Sequence, residues 1–374
     1  MHYKVKSGRK LLGTAATLTL AATGTIAASA PTGQAGGNSI TATVGKVRSD
    51  FTADTAKAVT PQTSGAPAGY CKVPKPMTNV VNRTMDCYNM PIKLNVRKNG
   101  RTVGTASFTV WHEIHLNLKS YHWTKKVIVG KASLTGSAGG VLATFNPSCG
   151  SGCQVFAGGD LDSPFTLNGH AHSGTAKYTF TVSAGHPRST HTRYEFDFKK
   201  PGYTPGEVPY TGSTYRCDDE DRQYGAGCVY PQRISVESDF PHLSLMASLP
   251  GIKDNIRKVQ NGGLHIGRVN STVPLTRATK KQSEKNRKAV CGPSVKPKPG
   301  DIWWHVDPHD DGTKPSCDEY PFDETTQGGK TYNPPNRAIK WVPLKENRQQ
   351  GGIIRTFFGR YHILPGDKFH VNMG

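Results

Sequence analysis

Two short segments near the C-terminus carry the side chains best suited to chemistry. The first, Ser316-Cys317-Asp318-Glu319-Tyr320-Pro321-Phe322, sets adjacent carboxylates beside a cysteine and a proline, and Gln327-Gly328-Gly329 follows it. The second, Glu346-Asn347-Arg348-Gln349-Gln350-Gly351-Gly352, precedes an apolar run at 353–358. Carboxylates held near a disulfide and stiffened by proline suit a hard divalent cation, which takes oxygen ligands and keeps several waters. In the second segment Asn347 offers a neutral oxygen ligand, Glu346 a carboxylate and Arg348 a fork shaped for phosphate. The glycines behind them let a backbone approach closely. If the two segments meet, they make one metal site with a phosphate clamp beside it. Each is also a common composition for a polar loop, so that chemistry depends on their meeting.

The charge balance favours polyanions. The chain carries 47 Lys+Arg against 27 Asp+Glu, a formal net charge of +20. Nucleic acid, acidic glycans and anionic cell surfaces are all compatible partners, and the surplus says nothing about catalysis. The steepest positive stretch runs from 251 to 300, with 12 basic and 2 acidic residues. Within it a helix is expected over 279–290, with Thr279 as N-cap and Gln282 at the capping-box spacing. Lys280, Lys281, Lys285, Arg287 and Lys288 would form its exposed basic face, either simply solvated or tracking phosphates. A second helix is expected over 247–259, interrupted at Pro250-Gly251.

The motifs resemble the paired signatures of the NucA/NucB family of bacterial secreted deoxyribonucleases. Asp318-Glu319-Tyr320-Pro321, Gly328-Gly329 and Glu346-Asn347-Arg348 stand in the family's order. Pro274-Leu275-Thr276-Arg277, Asn286-Arg287, Arg216-Cys217-Asp218 and Gly227-Cys228-Val229 add to the likeness, which covers roughly 213–374. The resemblance implies a divalent-metal-dependent endonuclease acting on DNA with little sequence preference, using Mg2+ or Mn2+. It implies Asp318 and Asn347 as metal ligands, with Asp318, Glu319, Glu346 and Arg348 as catalytic groups. One departure stands out. Relatives often carry a His-Ile step upstream of the Asp-Glu block, where this chain reads Asn255-Ile256. That leaves the general base open, with His265 as a substitute, and keeps alive a non-catalytic protein of the cell surface that merely holds polyanions. An antibacterial deoxyribonuclease toxin is a further alternative.

The elements that must position these residues make a multidomain chain: an N-terminal all-β sandwich-like domain, then an α+β nuclease domain. Lys4, Lys6, Arg9 and Lys10 precede an uncharged small and apolar run, and together they predict an export signal over 1–35 and a secreted, extracellular protein with no membrane attachment after cleavage. Residues 36–69, rich in Ala, Thr, Gly, Ser and Pro, read as a flexible linker. Alternating segments over 70–200, with a hairpin signal at Asn99-Gly100, predict the β domain. Its ligand is unassigned; residues 1–210 hold 23 basic and 9 acidic residues, which admits a cell-surface or glycan partner. Two Pro-Gly steps mark 201–212 as a linker, and the nuclease domain follows at 213–374.

Eight cysteines in an exported chain read first as disulfides. Spacing favours Cys71–Cys87, Cys149–Cys153, Cys217–Cys228 and Cys291–Cys317, with a zinc knuckle at Cys149 and Cys153 as the alternative. His112-Glu113-Ile114-His115 is one residue short of a zincin signature, and on a strand its histidines face opposite ways. His170 and His172 would share one strand face. His305, Asp307, His309, Asp310 and Asp311 crowd one loop, either as an exposed turn or as a supplementary ion site. Trp303 and Trp304 before it would pack under that loop or stack on a base.

Overall fold

A computed structural model describes residues 37–44, 79–232, 235–236 and 244–373, less 151, 157, 162, 182–185 and 270. The expected signal, most of the segment after it and Cys71 lie outside the described residues.

Period-two alternation dominates up to residue 229. The strands are Ser39–Val44 (β1), Asn79–Val81 (β2), Met85–Lys98 (β3), Arg101–His115 (β4), His122–Val129 (β5), Ser133–Gly136 (β6) and Leu142–Cys149 (β7). Cys153–Phe156 (β8), Phe165–Thr166 (β9), His172–Phe180 (β10), Arg188–Lys199 (β11), Gly206–Asp218 (β12) and Gly227–Val229 (β13) follow. One sheet runs β1-β3-β4-β5-β10-β8 with β2 and β6 attached, and the other runs β13-β12-β11-β7-β9. Asn99 and Gly100, both at positive φ, close the β3–β4 hairpin as a two-residue turn requires. Leu94, Val127 and Tyr178 from the first sheet share one apolar core with Phe145, Phe196 and Tyr210 from the second.

Three expectations change here. Ser39–Val44, placed in a flexible linker by its small residues, pairs with Ile92 to Arg97; its β-branched residues suit a strand once an edge is offered. The proposed linker at 201–212 is a tight turn followed by strand, since Gly206 to Thr211 pair with Arg193 to Phe198. Pro201-Gly202 and Pro205-Gly206 therefore bend a hairpin rather than separate domains, and β12 carries the sheet through residue 213 to Asp218. The zinc alternative falls, because Cys149 and Cys153 form a disulfide with a Cα separation of 5.7 Å. Cys217–Cys228 and Cys291–Cys317 are also disulfides.

His112 and His115 do point opposite ways. His115 is exposed, whereas His112 lies in the core, stacked on Tyr88 and bonded to Tyr210 Oη at 2.9 Å. Beside it Lys125 is fully buried, its Nζ 3.1 Å from Tyr88 Oη and 3.1 Å from the centre of the Tyr194 ring. Burial drives the pKa of both groups well down, with Asp86 opposing the shift at Lys125.

Beyond 229 the character turns mixed. Ser235–Val236 (β14), Leu275–Thr276 (β15) and Lys368–His370 (β18) form a small sheet, and Pro315–Tyr320 (β16) pairs with Ala338–Pro343 (β17). The helices are Ser244–Ala247 (α1), Pro250–Gln260 (α2), Lys280–Cys291 (α3) and Leu344–Arg360 (α4). In α2, Ile252, Ile256 and Val259 recur at helical spacing and are fully buried. Thr279 caps α3 by accepting from the Gln282 N–H at 3.3 Å, as the sequence implies. No helix among the described residues is long and apolar enough to cross a membrane.

A buried ionic cluster ties this region to the β sheets. Arg83 and Arg216 both donate to the Asp367 carboxylate, at 2.6 Å and 2.9 Å, and both also donate to the His362 carbonyl. His362 Nδ1 meets Asp218 at 2.7 Å. Burying such charges is tolerable only because every partner is opposed and hydrogen-bonded.

Candidate active site

β16 and β17 form a two-stranded ladder with Asp318 opposite Lys340, and α4 follows β17 without a loop. The chain thus doubles back, and α4 lies across β16. Asn347 fixes that contact: its Nδ2 donates to Ser316 Oγ at 2.8 Å and to the Cys317 carbonyl at 2.9 Å. With the nitrogen spent on β16, Oδ1 is left for a ligand. The Cys291–Cys317 disulfide ties the end of α3 to the same strand. Between these elements opens a cleft of about 340 Å³, lined among others by Asp318, Glu319, Asn347, Arg348, Arg287 and Arg355.

The two motifs, expected as loops, are a strand and a helix. Helix α4 continues through Gly351-Gly352 because Ile354, Phe357 and Phe358 bury its far side. Glycine within a helix costs about 1 kcal/mol against alanine. Here a Cβ at either position would meet nothing within 4 Å, so the glycines leave one wall of the cleft bare. Gly328 and Gly329 have the opposite reason. A Cβ on Gly328 would stand 2.3 Å from the Phe322 carbonyl, and Gly329 at φ +67 lies against Asn286 of α3.

Strand alternation separates the two carboxylates that looked like a pair. Asp318 accepts from Asn255 Nδ2 of α2 at 2.7 Å and has Gln350 of α4 close by. Glu319 stands with Asp323 and Arg287 instead. Both are buried, and burial is the main cause of their raised pKa values, about 7 for Asp318 and about 8 for Glu319. Asp323 adds to the shift at Glu319 while Arg287 opposes it. Burial likewise lifts Asp323, and takes Glu324 to about 7. Both Glu319 oxygens and Asn255 Oδ1 are buried with no hydrogen-bond partner. Orphaned acceptors among acids held near neutrality form an environment that a cation would complete.

The remaining predicted residues divide. Arg348 lines the cleft and reaches Asp311 at 3.6 Å. Glu346, expected to be catalytic, does not line it: its Oε2 accepts from the Gly251 and Ile252 N–H groups at 2.9 Å and 3.3 Å. It caps α2, whose preceding residue Leu249 has no side chain able to do so. Lys280, Lys281, Lys285, Arg287 and Lys288 are all exposed on α3, but only Arg287 lines the cleft. His265 faces the Gln260 carbonyl at 2.9 Å, outside the cleft lining. His305 and His309 are exposed and also outside it. Sequence reading misses Asp323, Glu324, Gln350 and Arg355. Arg355 is recoverable, since Arg348, Gly351, Gly352 and Arg355 share one helical face at spacings of three, four and seven.

Asn255 resolves the departure noted in the sequence. It stands directly against Asp318, so an amide faces that carboxylate. Elsewhere, Glu195, Asp197 and Glu207 of the β domain bring three carboxylates within 4.8 Å of one another. They lie on β11 and β12, apart from this cleft.

No curated protein matches the chain. Among solved structures it is similar to the GAE domain of GGA2p from Saccharomyces cerevisiae, at 10% identity over 28% of this chain and 87% of that one. The TM-score of 0.17 carries no argument. The cleft with its Asp-Glu strand and Asn-Arg helix lies within residues 263–372, the C-terminal region that matches the family model of deoxyribonuclease NucA/NucB.

Proposed function

We propose that this protein is a secreted, divalent-metal-dependent endonuclease that hydrolyses phosphodiester bonds of DNA with little sequence preference. The observation that carries the reading is the pair of buried carboxylates, Asp318 held by Asn255 and Glu319 without a hydrogen-bond partner, in a cleft rimmed by Arg287, Arg348 and Arg355. Acids and guanidinium groups facing one cavity suit a reaction in which a cation and a phosphate arrive together.

Asp318 and Asn347 Oδ1 are the oxygen donors that would hold Mg2+ or Mn2+, with Glu319 on the other side of the strand. When bound, the ion supplies charge stabilisation to the phosphate and the leaving oxygen. Asn255 orients the Asp318 carboxylate toward the ion, and Glu319 would take the proton of an attacking water. Arg348 and Arg355 would steady charge on the phosphate oxygens. The exposed lysines of α3 would hold flanking phosphates, contacts that position a strand without reading its bases. The three disulfides among the described residues fit an oxidising destination.

Purified protein on supercoiled DNA tests this. Nicking is expected with Mg2+ or Mn2+ and not with EDTA, and Asp318→Ala should cut on the order of 100-fold to 10,000-fold more slowly. Undiminished cutting by that variant removes the site.

A further inference from the structure

Packing and stacking are the two alternatives for Trp303 and Trp304, and each ring takes a different one. Trp304 is half-buried and its indole N–H donates to the Thr313 carbonyl at 2.8 Å. Trp303 is 62% exposed, beside its neighbour in an edge-on contact at 6.1 Å. The loop is held at several points. Asp301 accepts from the Lys298 N–H at 2.7 Å, and Thr313 Oγ1 bridges the Asp307 N–H and carbonyl at 2.9 Å and 3.1 Å. Its far end, Asp311, meets Arg348 at the cleft.

The loop carries acids, and the cation nearest the ring comes from outside it. Lys340 places its Nζ 5.9 Å from the centre of the Trp303 ring while also pairing with Asp254 at 3.1 Å. Lys296 and Lys298 are exposed just upstream of the ring. An exposed indole on a fastened loop, interleaved with lysines, has the composition of a platform for single-stranded nucleic acid: the ring stacks on a base and the ammonium groups meet phosphates. Bases inside a duplex already stack on each other, and only an unpaired or splayed base offers a free face.

We infer that Trp303, with Lys340 beside it, is a base-stacking contact that gives the protein a preference for single-stranded DNA over duplex. This deepens the nuclease reading and rests on it for the identity of the polymer, but its test does not require cutting. Labelled oligothymidylate and a mixed-sequence duplex of equal length are titrated, in EDTA, into full-length Asp318→Ala protein with and without Trp303→Ala. Trp303→Ala should weaken binding of the single strand at least fivefold and of the duplex less than twofold. Trp303→Phe should restore most of the loss, because a ring rather than a hydrogen bond makes the contact. Lys340→Gln should lower the salt slope of single-strand binding by about one phosphate. Phe156→Ala removes an equally exposed aromatic from the β domain and should change nothing. Equal losses for single strand and duplex, or unchanged single-strand binding by Trp303→Ala, overturn the inference. Because binding is read apart from cleavage, a failure of the Asp318 site in the plasmid assay is a separate result.

Discussion

The Asn255 amide donates to the Asp318 carboxylate across 2.7 Å of buried space, joining α2 to the strand that carries the proposed chemistry. That bond holds the Asp318 pKa below what burial alone would set. Removing it with Asn255→Ala should raise the pKa further. Because a proton competes with the ion for that carboxylate, we expect the Mg2+ concentration for half-maximal cutting at neutral pH to rise by about tenfold. An unchanged Mg2+ requirement would show that Asp318 does not hold the ion.

Metal and pH should act together on stability. Asp318 and Glu319 titrate at about 7 and about 8 in the fold, against 3.8 and 4.5 as ordinary groups. Between those limits the folded state binds more protons than the unfolded one, so metal-free stability falls as pH rises toward 8. A cation that neutralises the carboxylates restores it. At about 100 times its dissociation constant an ion adds about 2.7 kcal/mol. Thermal melts should show Mg2+ or Mn2+ raising Tm strongly at pH 8 and weakly at pH 5. An equal rise at both would separate the ion from these acids.

The Asp367 cluster should behave as a structural latch. Its carboxylate is shared by Arg83 and Arg216, which hold its pKa down although burial opposes them. Asp367→Ala leaves two guanidinium groups buried without it, and should cost about 3–5 kcal/mol. For the intact cluster the contribution is present above the ordinary carboxylate range and lost as pH falls through it. Denaturant melts check this. A change below 1 kcal/mol would mean that the β sheets and the C-terminal region do not depend on each other.

Lys125 carries the opposite sign. Burial lowers the pKa of its amine in the fold, with Asp86 opposing, whereas the unfolded chain protonates it below its ordinary value of 10.5. Stability should therefore rise with pH until that value is reached. Lys125→Met, close in volume and free of that cost, should gain on the order of 1 kcal/mol at neutral pH and flatten the slope. A lower Tm would show that the contacts to Tyr88 and Tyr194 outweigh the desolvation.

Local pattern was enough for much of this molecule. Alternation and the Asn99-Gly100 turn announce the β strands, the Thr279–Gln282 spacing announces α3, and near-neighbour spacing identifies the three disulfides seen among the described residues. The Asp-Glu and Asn-Arg blocks mark the cleft because their residue types are unusual in combination and their order matches a family. Those signals are short-range, or lie in residue identity. What they leave undetermined depends on where distant segments come to rest. A pair of Pro-Gly steps has the same letters whether it bends a hairpin or separates domains, and only the pairing of β12 with β11 distinguishes the cases. Glu346 sits one residue from Asn347 yet turns to the bare N-terminus of α2, because a helix sends neighbours in different directions and α2 brings no cap of its own. Asp318 and Glu319 are adjacent in the chain and separated in space by the pleat of a strand. Burial then supplies what composition lacks: it raises the pKa of both acids and leaves the Glu319 oxygens without partners, and that desolvation exists only after the chain has closed over them.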